Sequence, residues 1–242
     1  MHQSQSQTSH RAARSSLAAM QPVTHETGHI QCQGRIIGDE AFNGCDSLTS
    51  ITLPDSITNI GDYAFKWCSS LKSITLPDSI TAIGDDAFAY CSSLTSITLP
   101  DSITAIGDYA FSRCSSLTGI TLPASLTSIG DYAFAGCGSL TSITLPNSIT
   151  SIGNRAFESC ISLTSISLPD SLTTIGDFAF FHCDSLTSVS LPDSLTTIGN
   201  LAFYGCPDAL TLTIPRDSWL VQWCEDNDMR YTYPNFLDWP LE

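Results

Sequence analysis

The chain has 242 residues, 42% of them hydrophobic and 14% charged, and 24 Asp and Glu against nine Lys and Arg give a formal net charge of −15. This excess of acidic residues excludes the basic patches that bind phosphate backbones, so we expect no nucleic-acid partner. Because no apolar run reaches the roughly 18–20 residues of a membrane span, we also expect no membrane insertion.

The N-terminal residues 1–29 are rich in Ser, Gln, Thr and His and carry few large apolar side chains. Burying so little apolar surface cannot offset the entropy lost when a chain becomes ordered. The composition therefore predicts a flexible leader. This segment also lacks the apolar stretch of a secretory signal.

From residue 37 onwards a unit of 23 residues returns without insertion. The first copy is Ile37–Asn59, and later copies begin at Ile60, Ile83, Ile106, Ile129, Ile152, Ile175 and Ile198. Their common pattern is I-G-D-x-A-F-x-x-C-x-x-L-x-x-I-x-L-P-x-x-[IL]-x-x. A fixed short period predicts a repeat solenoid whose rungs share one core. We therefore divide the chain into the leader, a solenoid over residues 30–215 and a C-terminal cap over residues 216–242.

Each copy contains a short alternating segment, Ser50–Leu53 in the first, which predicts a strand with its two aliphatic side chains facing inward. Pro54 ends this strand and begins a turn. A second extended segment around Ile60 then returns the chain along the opposite side. Asp62 is expected to be the N-cap of a helical turn that reaches Phe65. The stacked units thus predict short parallel strands with short helical turns.

Eight of the ten cysteines recur once per repeat and must form one column. They are Cys45, Cys68, Cys91, Cys114, Cys137, Cys160, Cys183 and Cys206. Parallel side chains on rungs about 4.8 Å apart hold their Cβ atoms farther apart than a disulfide prefers, so we expect buried free thiols rather than disulfides. Free thiols favour a cytoplasmic location, with the cell surface or secretion as the alternative. We expect no metal site, because there is no C-x-x-C pair and the acidic columns fit turns better than calcium cages.

The repeat pattern ends after Pro215. Four residues then fall at helical spacing: Trp219, Leu220, Trp223 and Cys224. They predict a capping helix from residue 218 to about residue 227 that buries the tryptophans against the last rung, with Asp217 or Ser218 as its N-cap. At the other end, residues 30–37 form an incomplete rung, and no N-terminal cap can be recognised.

The motif I-G-x-x-A-F-x-x-C-x-x-L-x-x-I-x-L-P, which residues 60–77 carry in full, resembles the BspA-like leucine-rich repeat family. The ending Ile214-Pro215 before a short helix is similar to that family's usual ending. The resemblance covers Ile37 to about Tyr233. It implies a leucine-rich repeat solenoid that binds other macromolecules, often as a surface adhesin or host-interaction protein, and it implies no catalytic residues.

The chain has no H-E-x-x-H, P-loop, G-x-G-x-x-G or nucleophile-elbow motif, and four of its five histidines lie in the leader. We therefore expect no catalytic residues and no cofactor. The expected function is a non-catalytic, monomeric scaffold for protein–protein interaction. An extracellular adhesin is the alternative.

The outward strand positions form two hydroxyl columns, which offer one candidate binding surface. The columns include Ser73, Thr75, Ser96, Thr98, Ser142 and Thr144. They are interpreted as solvated sheet surface, for which Thr has a good β propensity. The alternative is a regular lattice, with a rung spacing of about 4.8 Å, that orders water or binds ice.

The copies differ most at the two positions after the repeated Phe. Trp67, Tyr90 and Arg113 occupy this turn on consecutive rungs, and Phe181 and His182 occupy it farther along. Trp, Tyr and Arg dominate the hot spots of protein interfaces, so these five residues are the candidate partner-binding site. The alternative is that an unconstrained surface turn varies without binding anything.

Overall fold

A computed structural model describes residues 35–234 and, closer to the N-terminus, two strands formed by residues 23–24 and 29–31. Residues 1–22, 25–28, 32–34 and 235–242 lie outside the described residues. The flexible leader therefore stays a prediction, as does the end of the C-terminal cap.

The described chain forms a solenoid in which successive rungs contribute a three-residue and a two-residue strand. In chain order the elements are β1 (Val23–Thr24), β2 (His29–Gln31), β3 (Ile36–Ile37), β4 (Ser50–Thr52), β5 (Asn59–Ile60), β6 (Ser73–Thr75), β7 (Ala82–Ile83), β8 (Ser96–Thr98), β9 (Ala105–Ile106), β10 (Gly119–Thr121), β11 (Ser128–Ile129), β12 (Ser142–Thr144), β13 (Ser151–Ile152), β14 (Ser165–Ser167), β15 (Thr174–Ile175), β16 (Ser188–Ser190), β17 (Thr197–Ile198), β18 (Thr211–Thr213), α1 (Leu220–Asp226) and β19 (Arg230–Thr232). Equivalent strands pair in parallel, so that Ile51 lies opposite Ile74 and Ile129 opposite Ile152. The 23-residue repeat solenoid is confirmed.

The core is one apolar cluster that runs from the first described rung to the C-terminal helix. Its central feature is a parallel stack of phenylalanine rings whose neighbouring centroids are 5.0 to 5.5 Å apart. The stack consists of Phe42, Phe65, Phe88, Phe111, Phe134, Phe157, Phe180 and Phe203. Because an inner ring contacts a ring on each face, every rung buries apolar surface on two sides, which a single rung could not do.

The Asp of the I-G-D motif does not cap a helical turn in its own rung, and that prediction is wrong. Asp62 Oδ1 accepts a hydrogen bond from the backbone N–H of Asp85, one rung later, at 2.9 Å. The following turn is also interrupted, because Tyr63 and Trp67 have left-handed φ angles of 58° and 64°. Asn154 accepts the bond from the next rung equally well, which explains why Asp and Asn alternate at this position.

The first rung is completed by a strand pair that the sequence analysis missed. β2 pairs in parallel with β4 and places Ile30 opposite Ile51. β1 then runs antiparallel to β2 and covers its outer edge. Both β1 and His29 fall within the segment that was assigned to the leader. Covering the edge satisfies backbone groups that would otherwise remain open for pairing with another chain.

Helix α1 covers the last rung, as predicted. Leu220 and Cys224 are buried, and the Trp223 ring packs edge-on against Phe203 with a centroid distance of 6.4 Å. β19, which was not predicted, pairs in parallel with β18 and extends the sheet by one strand. Together the helix and this strand cover the apolar end of the stack. Among residues 35–234 no helix has the length and apolar character that a membrane span requires.

The start of α1 differs from the prediction. Trp219 occupies the N-cap position and makes no side-chain capping hydrogen bond. Ser218 instead donates its hydroxyl proton to the Pro215 carbonyl at 3.0 Å. Trp219 is also 42% exposed rather than buried, although its indole N–H donates to the Leu195 carbonyl at 2.8 Å. The tryptophan thus ties the helix to the rung before last through a hydrogen bond rather than through core packing.

The cysteine column consists of free thiols, as predicted. Cys68 to Cys183 are buried, while Cys45 and Cys206 at the ends are partly exposed. Each buried thiol donates to a phenylalanine carbonyl of the preceding rung, as Cys114 does to Phe88 at 3.2 Å. Burial raises the pKa of Cys91 to about 12.

We expect the column to react slowly with iodoacetamide at about pH 8 in native protein and rapidly in urea, since only the thiolate is nucleophilic. Counting alkylated cysteines by mass spectrometry measures this, and equal labelling in both conditions would contradict the buried column.

The raised pKa also links stability to pH. The stability that this pKa shift contributes is fully present below pH 9.0, the ordinary pKa of a thiol, and is lost as the pH rises towards the pKa of the thiol in the folded protein. The free energy of unfolding should therefore fall above about pH 9.

Candidate functional site

We call the turn face the surface formed by residues 63–67 and their equivalents in the other rungs. It contains two columns of residues with left-handed φ angles between 53° and 79°. The first column is Glu40, Tyr63, Asp86, Tyr109, Tyr132, Arg155, Phe178 and Leu201. The second column is Gly44, Trp67, Tyr90, Arg113, Gly136, Ser159, His182 and Gly205. Backbone hydrogen bonds hold neighbouring rungs in register here, as from Trp67 N–H to the Ala89 carbonyl at 2.9 Å.

The residues predicted from the sequence lie in the second column or immediately before it, and none of them lies in the first column. A signal was available, because the position after the repeated Asp varies from copy to copy as widely as the turn after the Phe. The sequence did not show that this column lies beside the second one. The two columns are neighbours because both belong to the same turn, and the equivalent turns of successive rungs stack on each other.

The structure brings Trp67, Tyr90 and Arg113 together, as the sequence analysis expected of consecutive rungs. The rings of Trp67 and Tyr90 stack with a centroid distance of 3.8 Å and an interplanar angle of 19°. The Arg113 guanidinium lies 5.7 Å from the Tyr90 centroid. Beside them, Lys66 Nζ forms an ion pair with Asp86 at 2.7 Å. Cation–π contact and stacking therefore hold this cluster in place.

Phe181 and His182 form a separate cluster farther along the turn face. Their rings meet edge to face with a centroid distance of 4.4 Å, and Phe181 stacks on Tyr204 at 5.7 Å. His182 Nδ1 lies 3.6 Å from the Asp184 carboxylate. The five predicted residues thus form two groups rather than one.

A third cluster, from the missed column, lies between the two groups along the array. Tyr109 and Tyr132 stack with a centroid distance of 4.4 Å. The Arg155 guanidinium lies 5.6 Å from the Tyr132 centroid and 4.3 Å from the Phe178 centroid. It also donates a hydrogen bond to Glu158 at 3.1 Å, which raises the pKa of Arg155. Aromatic and cationic side chains therefore follow one another along most of the turn face.

A cavity of 460 Å³ lies between the Trp67–Tyr90–Arg113 cluster and the Tyr109–Tyr132 stack. Its walls include Tyr90, Arg113 and Tyr132, and the small residues Gly136 and Ser159 also line it. Aromatic walls with a few charged groups are typical of binding sites, and the volume lies in the range of about 300–1,000 Å³ that such sites have.

The second candidate surface, the hydroxyl face, points outward as predicted. Ser73, Thr75, Ser96, Thr98, Ser142 and Thr144 are all exposed, with a buried Ile between each pair. The strands that carry them form two sheets, because the ladder is interrupted between β10 and β12. Gly119 replaces the usual Ser at this break, and Ile120 is only half-buried. The hydroxyl lattice is therefore not continuous along the solenoid, which weakens the ice-binding hypothesis.

No group of three or more His, Cys, Asp or Glu side chains in the described part of the chain is arranged to hold a metal ion. The aspartates of the I-G-D motif instead accept backbone hydrogen bonds from the next rung, as Asp85 does from Asp108 at 2.8 Å. Four charged groups of the turn face form two ion pairs, and the Arg113 guanidinium contacts an aromatic ring. This arrangement suits recognition of another molecule's surface.

Comparison with known proteins identifies the fold. The family model described as "BspA type Leucine rich repeat region (6 copies)" matches residues 35–163 and 150–220. Among solved structures, the chain is similar to a leucine rich repeat protein of T. pallidum (TpLRR), with 31% identity, coverage of 90% of this chain and 96% of that one, and a TM-score of 0.68. It is also similar to a leucine rich cell surface protein of Faecalibacterium prausnitzii, with 28% identity, coverage of 81% and 74%, and a TM-score of 0.49. Among curated proteins none matches. The repeats, their register and the family match together show that this chain belongs to the BspA-type leucine-rich repeat family.

Proposed function

We propose that the chain is a non-catalytic scaffold that binds a protein partner through its turn face. The observation that carries this proposal is the distribution of exposed apolar side chains. Eight large ones are exposed among the described residues, and five of them lie on the turn face. These five are Tyr63, Trp67, Tyr109, Leu201 and Tyr204, which are 38 to 59% exposed. Single exposed apolar residues are ordinary, but their concentration on one face is typical of an interaction surface.

The backbone of the turn supports a binding role over variation without function. The second column accepts glycine at Gly44, Gly136 and Gly205, where a left-handed φ has no steric cost. Trp67 and Tyr90 adopt the same conformation, which costs a residue with a side chain about 1–2 kcal/mol. Glycine avoids this backbone cost, so large aromatic side chains at the same position favour a role in binding over neutral variation.

The hydroxyl face offers less binding energy. Its outward residues are Ser and Thr, whose small side chains bury little apolar area, whereas the turn face presents the Trp, Tyr and Arg side chains that dominate interface hot spots. Leucine-rich repeat proteins generally mediate protein interactions. The turn face is therefore the better candidate for the contact surface of this family member.

Capture of partners from the native source tests the proposal. Wild-type protein, Trp67→Ala and Ser142→Ala serve as baits, and captured proteins are quantified by mass spectrometry. A turn-face partner should be lost from the Trp67→Ala bait, because removing a hot-spot aromatic costs about 2 kcal/mol or more of binding energy. It should be retained by Ser142→Ala, the matched control on the hydroxyl face. Identical capture by Trp67→Ala and wild type would contradict a turn-face interface.

A further inference from the structure

The turn-face cavity lies where the second column changes from large to small side chains after Arg113. Trp67 and Tyr90 fill the column on two consecutive rungs, Arg113 follows, and Gly136 and Ser159 come next. A Cβ at residue 136 would lie 3.2 Å from Arg113 Cγ. The missing side chain at Gly136 therefore leaves room for Arg113, which lines the cavity.

Arg113 differs from the other cations of the turn face in its partners. Lys66 is paired with Asp86 at 2.7 Å, and Arg155 is paired with Glu158 at 3.1 Å. Within residues 35–234, no carboxylate lies within 4.0 Å of the Arg113 guanidinium, which contacts the Tyr90 ring instead. The two carboxylates that line the cavity are thus already neutralised, and Arg113 supplies its unpaired positive charge.

We propose that this cavity receives the carboxylate of an Asp or Glu side chain on an acidic segment of the partner protein. The proposal rests on the turn face being the partner-binding surface. The planar guanidinium of Arg113 carries N–H donors in a fork that matches a carboxylate, and charge-assisted bonds of this kind are among the strongest hydrogen bonds in proteins. Tyr109 and Tyr132 form an aromatic wall for the neighbouring apolar part of the segment.

The chain's net charge of −15 repels an acidic partner, but most of these charges lie far from the cavity, where salt screens their effect. At physiological ionic strength, charges separated by more than about 8 Å are largely screened. A carboxylate in contact with the Arg113 guanidinium lies within this distance, inside a partly closed cavity, so salt screens their attraction little. The interaction therefore selects a carboxylate that the segment can place inside the cavity, rather than acidic proteins in general.

The first experiment selects random linear peptides, displayed on phage, against three immobilised proteins: wild type, Arg113→Gln and Lys72→Gln. Lys72 is exposed immediately before β6 and outside the turn face, so its replacement removes the same charge elsewhere. Peptides enriched in Asp or Glu should emerge from wild type and from Lys72→Gln, and these peptides should bind Arg113→Gln about tenfold or more weakly. Arg113 is exposed, so the variant is expected to melt like wild type.

The second experiment measures the strongest peptide and its amide form, with Glu replaced by Gln or Asp by Asn, by fluorescence anisotropy. On wild type the amide form should bind about tenfold or more weakly, as expected for loss of one charge-assisted hydrogen bond. On Arg113→Gln the two forms should differ by less than about twofold, which a double-mutant cycle requires if the pair interacts directly. The comparison of the acid and amide peptides on wild type alone does not depend on how the Arg113→Gln variant folds.

The carboxylate assignment would be overturned if the selected peptides lacked acidic residues or if the selection yielded no binders. It would also be overturned if replacing the acid by its amide weakened binding equally on wild type and on Arg113→Gln. Displacement of the peptide by inorganic phosphate, but not by acetate at equal concentration, would overturn it in favour of a phosphate group. Failure of the proposed function gives a different result. If the peptides bind equally well with and without the acidic group but do not bind Trp67→Ala, the turn face remains the interface. If partner capture is unaffected by Trp67→Ala, the turn face is not the interface.

Discussion

Phe111→Ala is expected to lower the free energy of unfolding by about 3–5 kcal/mol, the usual cost of removing a fully buried Phe. The Phe111 ring has no exposed surface and is stacked between Phe88 at 5.5 Å and Phe134 at 5.4 Å. Its loss leaves a cavity that faces both neighbouring rungs. Unfolding in urea, followed by circular dichroism, measures the change.

Phe203→Ala is the matched control at the end of the array. Phe203 stacks on Phe180 at 5.2 Å on one face only, and the other side meets the edge of Trp223 at 6.4 Å. The looser contact on this side predicts a smaller loss than at Phe111, although the capping helix makes the difference smaller than an uncovered end would. Equal shifts of the urea midpoint for the two variants would contradict a core built by stacking on both sides.

Gly107→Ala is expected to destabilise the fold by about 3 kcal/mol or more, at or above the upper end of the usual range for overpacking. A Cβ at this position would lie 2.6 Å from Asp85 Oδ1 and 2.9 Å from the Asp85 backbone nitrogen. Neither atom can move freely, since the nitrogen belongs to the neighbouring rung and Oδ1 accepts the hydrogen bond from Asp108. Thermal melting and urea unfolding measure the effect.

Gly119→Ala, in β10 of the same rung, provides the control. A Cβ there meets no atom within 4 Å, and the residue does not have a left-handed φ. Replacing such a glycine restricts the unfolded chain and stabilises a protein by about 0.4–1 kcal/mol when the folded backbone accepts the change. Losses of similar size for both alanine variants would show that the approach of rungs at Gly107 is not the cause.

The period and its apolar positions were readable in the sequence, because both depend on the chain's own spacing. Eight copies of one pattern specify rungs of 23 residues, and the alternation around Ile51 specifies which side chains face the core. The cysteine column followed from the same reasoning, since residues at equal intervals must align when rungs stack in register. Trp67, Tyr90 and Arg113 were brought together for that reason as well.

Tertiary structure decided the features that depend on contacts between rungs. The Asp62 carboxylate looked like a local N-cap, yet its hydrogen bond goes to the N–H of a residue 23 positions later. The column of Tyr109 and Tyr132 joined the candidate site only when left-handed backbone placed it beside the second column. The strands β1 and β19 are too short to carry a periodic signal, and the cavity beside Arg113 depends on a glycine in the next rung. Sequence spacing determines which residues share a column, whereas the folded backbone determines which columns touch and where a gap remains between them.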